Sequence, residues 1–389
     1  MPGALLVVSS RGELSVARRD SGGGWSAVAL MKRASWPTWR PGPGAEFAAS
    51  ALLPSGASRL VVGQIANATE PLVVHESAPG EGIAPRVSHY ALWSPDGSRL
   101  AYVTRSGDRL ALSLLHLPAG KRVESIVEGA PIFSAWSADS RYLACHAGLS
   151  LQVVDAERGD VHRVVSEEAA GFRVAAPGPE GTLLYGIPDS GALRLLESRF
   201  EGGPARELGR FGGGIAMAVR PGGGAVAVGV TRHPQTGTFE ELWLVAMGDG
   251  QKRLIARGPY VAFYWSPAGD RIALVVPAQT GDGRHCVRTI SPDGAQLAAS
   301  EGIVPSQDFR IALGFFDQYA LSHPVWTASG SLLLTGRRVD DSVHATLGDA
   351  IGDHVFSWAG ERGAPLEAIQ PGQTAVAEPS PEGGTPEAR

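Results

Sequence analysis

Ala91-Leu92-Trp93-Ser94-Pro95-Asp96-Gly97-Ser98-Arg99-Leu100-Ala101-Tyr102-Val103-Thr104 is a chain reversal followed by an alternating apolar strand. Proline at the first central turn position presets φ, Asp bonds back to its own backbone, and Gly supplies the positive φ that closes the turn. Alternation in Leu100-Ala101-Tyr102-Val103 marks a strand with one buried face. The indole of Trp93, just before the turn, offers a large flat surface to a neighbouring unit.

The stretch recurs. Ser134-Ala135-Trp136-Ser137-Ala138-Asp139-Ser140, Phe263-Tyr264-Trp265-Ser266-Pro267-Ala268-Gly269 and Pro324-Val325-Trp326-Thr327-Ala328-Ser329-Gly330 keep the tryptophan. Ala176-Pro177-Gly178-Pro179-Glu180-Gly181 and Val219-Arg220-Pro221-Gly222 keep only the turn, and Trp36-Pro37-Thr38-Trp39-Arg40-Pro41-Gly42 is the first copy. The heads fall at residues 39, 93, 136, 176, 219, 265 and 326, one basic period with two insertions. Between heads a second hairpin recurs, as in Leu151-Gln152-Val153-Val154-Asp155 with its return through Gly159. Ser291-Pro292-Asp293-Gly294 lies half a period past Trp265 and fits that second hairpin. Two hairpins per period make a four-stranded antiparallel blade, so the expected fold is an all-β propeller over residues 1–369, with seven blades favoured over six or eight. The N-terminal Leu5-Leu6-Val7-Val8 segment and the C-terminal Val355-Phe356-Ser357-Trp358 segment both resemble second hairpins, and one of them is expected to complete the last blade and close the ring. Residues 370–389, rich in Pro, Gly and Glu, are expected to form a disordered tail.

Composition agrees. Of 389 residues 51 are Gly and 28 Pro, about a fifth of the chain, as a turn-rich fold requires. A net charge of -5 without a run of like charges argues against nucleic-acid binding. Positive charge is nearly all arginine, since only Lys32, Lys121 and Lys252 are lysines. Cys145 and Cys286 are far apart and outside any C-x-x-C pair, so buried free thiols in a reducing compartment are expected. The short apolar run at residues 4–8 lacks the basic start of a secretory signal, and no stretch reaches the ~18 apolar residues of a membrane span. A cytoplasmic location without membrane insertion is the expectation.

Trp-Ser-Pro-Asp-Gly followed by an apolar strand resembles the WD-like repeat of TolB-like propellers, which is shared with the propellers of prolyl-oligopeptidase-type and tricorn-type peptidases. The resemblance implies the fold and leaves activity open, because unrelated functions share it. The sequence lacks a G-x-S-x-G elbow, and too few residues follow the propeller for a hydrolase domain. H-E-x-x-H, a P-loop and a strand-linked G-x-G-x-x-G are also missing. A single asparagine, Asn67, does not supply the calcium ligands of propeller lactonases.

One insertion departs from the repeat: Asp308-Phe309-Arg310-Ile311-Ala312-Leu313-Gly314-Phe315-Phe316-Asp317-Gln318-Tyr319-Ala320-Leu321-Ser322-His323. His323 stands three residues before Trp326, and His89 and Tyr90 stand at nearly the same offset before Trp93. By analogy with other propellers, that offset places side chains at the channel mouth. Three readings compete: aromatics and histidines that simply pack, a surface for a protein or peptide partner, and a metal site. The binding reading uses Asp317, Tyr319, His323, His89 and Tyr90, with Arg173 as an anion contact, and aromatics are enriched at such interfaces. The metal reading uses His89, His323 and Gln318, and resembles the propeller-type oligogalacturonate lyases, which use histidines and manganese. The sequence-level expectation is a non-catalytic binding or scaffold propeller that needs no cofactor, engaging its partner near residues 308–323. The alternative is a metal-dependent lyase or hydrolase at the same mouth.

Overall fold

In the computed structural model, which describes residues 3–65, 70–279, 281–338 and 352–379, the strands form a ring of antiparallel sheets. Each repeat head becomes the start of a four-stranded unit: its tryptophan, where present, lies at or near the end of the innermost strand, and the following alternating run is the second strand. The sheets number seven among the described residues, six of four strands and one of eight. The eight-stranded sheet joins two repeat units. Strands Ala262–Trp265 to Gln296–Ala299 form one half, and Leu332–Arg338, His354–Trp358 and Glu367–Pro371 form the other, with a Trp326–Leu332 bridge as remnant of its innermost strand. Ile303–Pro305 pairs with both halves. Ser291-Pro292-Asp293-Gly294 turns between His285–Ile290 and Gln296–Ala299, in the outer hairpin.

Ring closure differs from the expectation. The Val355 segment completes the sheet of the last head, whereas Leu5–Val8, Leu14–Arg19 and Trp25–Met31 form a sheet of their own. Its innermost strand is Thr374–Ala377, paired antiparallel with Leu5–Val8. The propeller therefore runs past residue 369, and residues 370–379 are not a disordered tail. Val376 and Ala377 are buried against Leu5, Leu6 and Val8, so a Pro- and Gly-rich composition concealed a short apolar strand. Residues 380–389 lie outside the described residues. Cys145 is buried, and burial pushes its thiol up to about 12; Cys286 is only half-buried.

Adjacent sheets are tied by the head tryptophans. Trp39, Trp136, Trp265 and Trp326 donate their indole N–H to the innermost strand of the preceding sheet, at Val376, Leu92, Ala218 and Tyr264, over 2.9–3.2 Å. Trp93 is as buried as Trp136 but its N–H has no partner. Instead the guanidinium of Arg40 lies 5.7 Å over its ring and donates to Gly97 O at 2.7 Å. Gly97 has φ 69, and a Cβ there would meet Pro41 O at 2.3 Å, so this turn requires glycine.

Every innermost strand that carries a repeat head is entered from a connection between sheets and left through its head turn. The turns consequently lie on one face of the ring. The connections, with the loops between second and third strands, lie on the other, the connector face.

Two measurements test the ring. Trp136→Phe is expected to lower unfolding free energy by about 1–2 kcal/mol, the worth of a buried hydrogen bond and its stranded carbonyl, and to cost more than Trp93→Phe, in chemical denaturation. Truncation after residue 373 exposes the Leu5–Val8 edge and is expected to lower the melting temperature sharply and produce aggregates in size-exclusion chromatography.

Candidate functional site

The insertion before the last head folds as two short helices, α1 (Gln307–Gly314) and α2 (Phe316–Ser322). Ser306 caps α1 by accepting the N–H of Phe309 at 3.1 Å, and its hydroxyl also donates to Gln373 O at 2.6 Å. Asp308, in the first turn, sits where the helix dipole favours an anion. It pairs with Arg86 at 3.0 Å and accepts the Thr374 hydroxyl at 2.9 Å. The helix start is thus fastened to the ring-closing strand and to the connection before Tyr90.

Helix α2 fills the connector-face end of the channel. Gln318 donates from its amide nitrogen to the Tyr90 hydroxyl at 2.6 Å and to Ser134 O at 3.0 Å. Its side-chain oxygen accepts Ser134 N–H at 2.7 Å, and the Tyr90 hydroxyl donates to Gln318 O at 2.9 Å. Thr38 donates to Ser322 O at 3.1 Å. Asp317 is buried and meets Arg173 through two atom pairs, at 2.9 and 3.2 Å. Burial pushes the Asp317 carboxyl up, while Arg173 and the helix N–H groups pull it down. Phe316 packs among Phe239, Phe263 and Tyr264, and Tyr319 packs on Trp36, Tyr90 and His323. This seven-residue helix contacts the innermost strands Tyr90–Trp93, Ile132–Trp136, Gly214–Val219 and Ala262–Trp265.

The structure therefore joins Gln318 to Tyr90, Asp317 to Arg173 and Tyr319 to His323, but not as an open surface. Asp317, Tyr319, Tyr90 and His89 are all buried, which corrects the reading of these residues as partner contacts, and Gln318 of the metal reading is buried with them. They seat the plug. Of the expected contact residues Arg173 and His323 are half-buried, Arg173 with 28% side-chain exposure. The metal trio makes separate contacts. Both ring nitrogens of His89 are held by hydroxyls, Ser50 at 3.0 Å and Ser77 at 3.1 Å. His323 bonds Ser322 and packs on Trp36, and the Gln318 amide is fully engaged. No group of three His, Cys, Asp or Glu with ligand geometry occurs among the described residues.

Other residues of the insertion reach solvent. Phe315, at the break between the helices, is 44% exposed, with the Arg173 guanidinium 5.5 Å over its ring. Beside it a cavity of about 360 Å³ is lined by Phe172, Arg173, Ile215, Thr238, Phe239 and Gly314. On the other side of α2, Leu321 borders a cavity of about 330 Å³ inside the channel, lined by Met217, Phe263, Trp265 and Phe316. Sequence reading missed the helices, although Ser306 followed by an acid in the first turn is a start signal.

Burial holds the His323 imidazole down to about 3, and burial with neighbouring His75 holds His89 down to about 4. An unfolded histidine binds a proton near 6.5. Below that value the unfolded chain binds more protons than the folded one, so stability falls as pH drops from about 6.5 toward 4. Asp317 acts in the opposite sense, because protonation suits its buried carboxyl. Each histidine contributes a slope of up to ~1.4 kcal/mol per pH unit, and His323→Gln or His89→Gln is expected to flatten the acid limb in thermal unfolding followed from pH 7 to 4.5.

No protein-family model and no curated protein sequence matches this chain. Solved structures do. A crystal structure of the eukaryotic initiation factor is 12% identical, with TM-score 0.58, over 98% of this chain and 100% of that one. The C-terminal WD40 domain of Sif2 is 15% identical, with TM-score 0.53, over 86% and 85%. TolB from Acinetobacter baumannii is 16% identical, with TM-score 0.43, over 73% and 75%. Likeness at this identity concerns the fold alone, and the first two structures, with the repeat heads and sheets described above, make the chain an all-β propeller.

Proposed function

We propose that this propeller is a non-catalytic binding or scaffold module, and that a protein segment engages its connector face at the helical plug. The observation that supports this reading is Phe315: a large aromatic side chain exposed on a helix break whose neighbours are fixed by buried hydrogen bonds. Aromatic anchors beside a recess and next to an arginine are typical of the residues that dominate protein interfaces. A rigid seat adds to affinity because little conformational freedom is lost on binding. The partner contacts in this reading are Phe315, the outer edge of Arg173 and the rim of the adjoining cavity. Asp317, Tyr319, His323, His89 and Tyr90 act beneath them as support.

Phe315→Asp is the test. Its side chain is exposed, so the melting temperature is expected to stay within about 2 °C of the parent. A photo-crosslinking amino acid at position 315 should capture a partner that one at exposed Val28, on the outermost strand of the first sheet, does not. Phe315→Asp should lose that partner in a pull-down. Retention of every partner by Phe315→Asp removes the proposed surface.

A further inference from the structure

We propose that the connector face also carries an anion-binding cleft suited to an acidic peptide segment, a deepening that rests on the reading of this face as a protein-binding surface. A cavity of about 880 Å³ lies where the first three sheets meet. Into it converge the turn of residues 10–12, the start of the second sheet at Arg33, the connection of residues 80–88 and the end of a second strand at Arg105.

Its charge is opposite to that of the molecule. Arg11, Arg33, Arg86 and Arg105 line the cleft with one carboxylate, Glu81, in a chain of net charge -5. Arg86 is spent on Asp308, and Arg105 gives its Nε to Gly107 O at 2.9 Å. No ion pair engages the side chain of Arg11, Arg33 or Arg105 among the described residues. Three guanidinium groups thus remain able to take carboxylates, for which their planar fork is matched.

The backbone supplies a second, independent observation. Arg33 has φ 54 and Arg86 φ 66, in the left-handed region that costs a residue with a Cβ. This chain puts glycine at most of its left-handed positions, yet two of the exceptions are arginines on one cleft. Both are held firmly. Arg33 O accepts Leu52 N–H at 2.8 Å, Ala34 N–H donates to Gly12 O at 2.8 Å, and Arg86 O accepts the Trp36 indole at 2.9 Å. At Arg86 the side chain is retained for its pair with Asp308, whereas strain kept at Arg33, which glycine would relieve, points to a side chain with a use outside the protein's own contacts. A compact anion would be met by groups that close on one point. Here the arginines come from separate segments around a wide recess, with Ser10, Ser35, Ser58 and Ser88 between them, which suits an extended chain with several carboxylates.

The test uses fluorescein-labelled hexaglutamate and hexaglutamine peptides, titrated with the full chain by anisotropy. Hexaglutamate is expected to bind and to weaken with added salt, and hexaglutamine to show no binding. Arg11→Glu and Arg105→Glu are expected to weaken hexaglutamate about tenfold or more. Arg33→Gly should weaken it several-fold while the melting temperature holds or rises, because glycine adopts the same φ freely; a merely structural Arg33 would give the stability change alone. Absent hexaglutamate binding, or binding unchanged in all three variants, overturns the proposal. Inorganic phosphate displacing the peptide at equal or lower concentration overturns the peptide assignment in favour of a phosphate ligand. The two readings fail separately. If Phe315→Asp loses the cellular partner and the arginine variants retain both it and hexaglutamate, the cleft is refuted and the plug surface stands. If the arginine variants lose hexaglutamate and Phe315→Asp keeps every partner, the cleft stands and the plug surface is refuted.

Discussion

The indole hydrogen bond from one sheet to the innermost strand of the sheet before it is the contact on which the rest of the ring depends. Hydrogen bonds within a sheet set strand spacing but say nothing about how one sheet turns against the next. Trp39, Trp136, Trp265 and Trp326 supply that relation, each with a flat ring to pack and one N–H that reaches a fixed carbonyl. A buried indole N–H without a partner is costly, so the ring settles where the bond is made. Arginines reinforce the same junctions: Arg220 lies over Trp265 and Arg271 over Trp326, as Arg40 does over Trp93. At Trp93 the cation replaces the hydrogen bond.

Once the innermost strands are held at that spacing, their entry ends form a socket whose polar groups face one another across the axis. An open channel would leave Tyr90, the backbone at Ser134 and Arg173 to water. The helical plug brings one polar group to each: Gln318 to Tyr90 and Ser134, Asp317 to Arg173. Its sequence looks reactive, with acids, histidine, glutamine and tyrosine crowded together, because a short element that must satisfy several strands needs several kinds of hydrogen-bonding group. The same burial keeps His323 and His89 neutral and makes the plug and its socket sensitive to acid.

The fold was legible in the sequence because its signals are local. Trp-Ser-Pro-Asp-Gly specifies a turn by φ preference, and the alternation after it specifies a buried face, within a dozen residues. Closure was not legible, because Thr374–Ala377 is only four residues long and its partner stands at the other end of the chain. The site divides in the same way. The insertion and its offset from Trp326 were visible, whereas the pairing of Arg173 with Asp317 inside it was not. Whether Tyr319 or Phe315 would reach solvent depended on which side of α2 met Trp36, a tertiary matter that residue type does not carry. The arginine cleft left no trace in the sequence, since Arg11, Arg33, Arg86 and Arg105 are widely separated and left-handed φ at an arginine has no compositional mark.

Pairing of Leu5–Val8 with Thr374–Ala377 also sets an order on biosynthesis. Leu5–Val8 is translated long before Thr374–Ala377, the innermost strand of the same sheet. Throughout translation the nascent chain holds an incomplete first sheet with an unpaired edge of Leu5, Leu6, Val7 and Val8, open to any passing strand. The Trp39 indole meanwhile lacks its acceptor at Val376. Sheets made in between gain their neighbours in turn, but the circle locks only when Thr374–Ala377 pairs with Leu5–Val8, and until then that edge is the part of the ring most open to pairing with other chains.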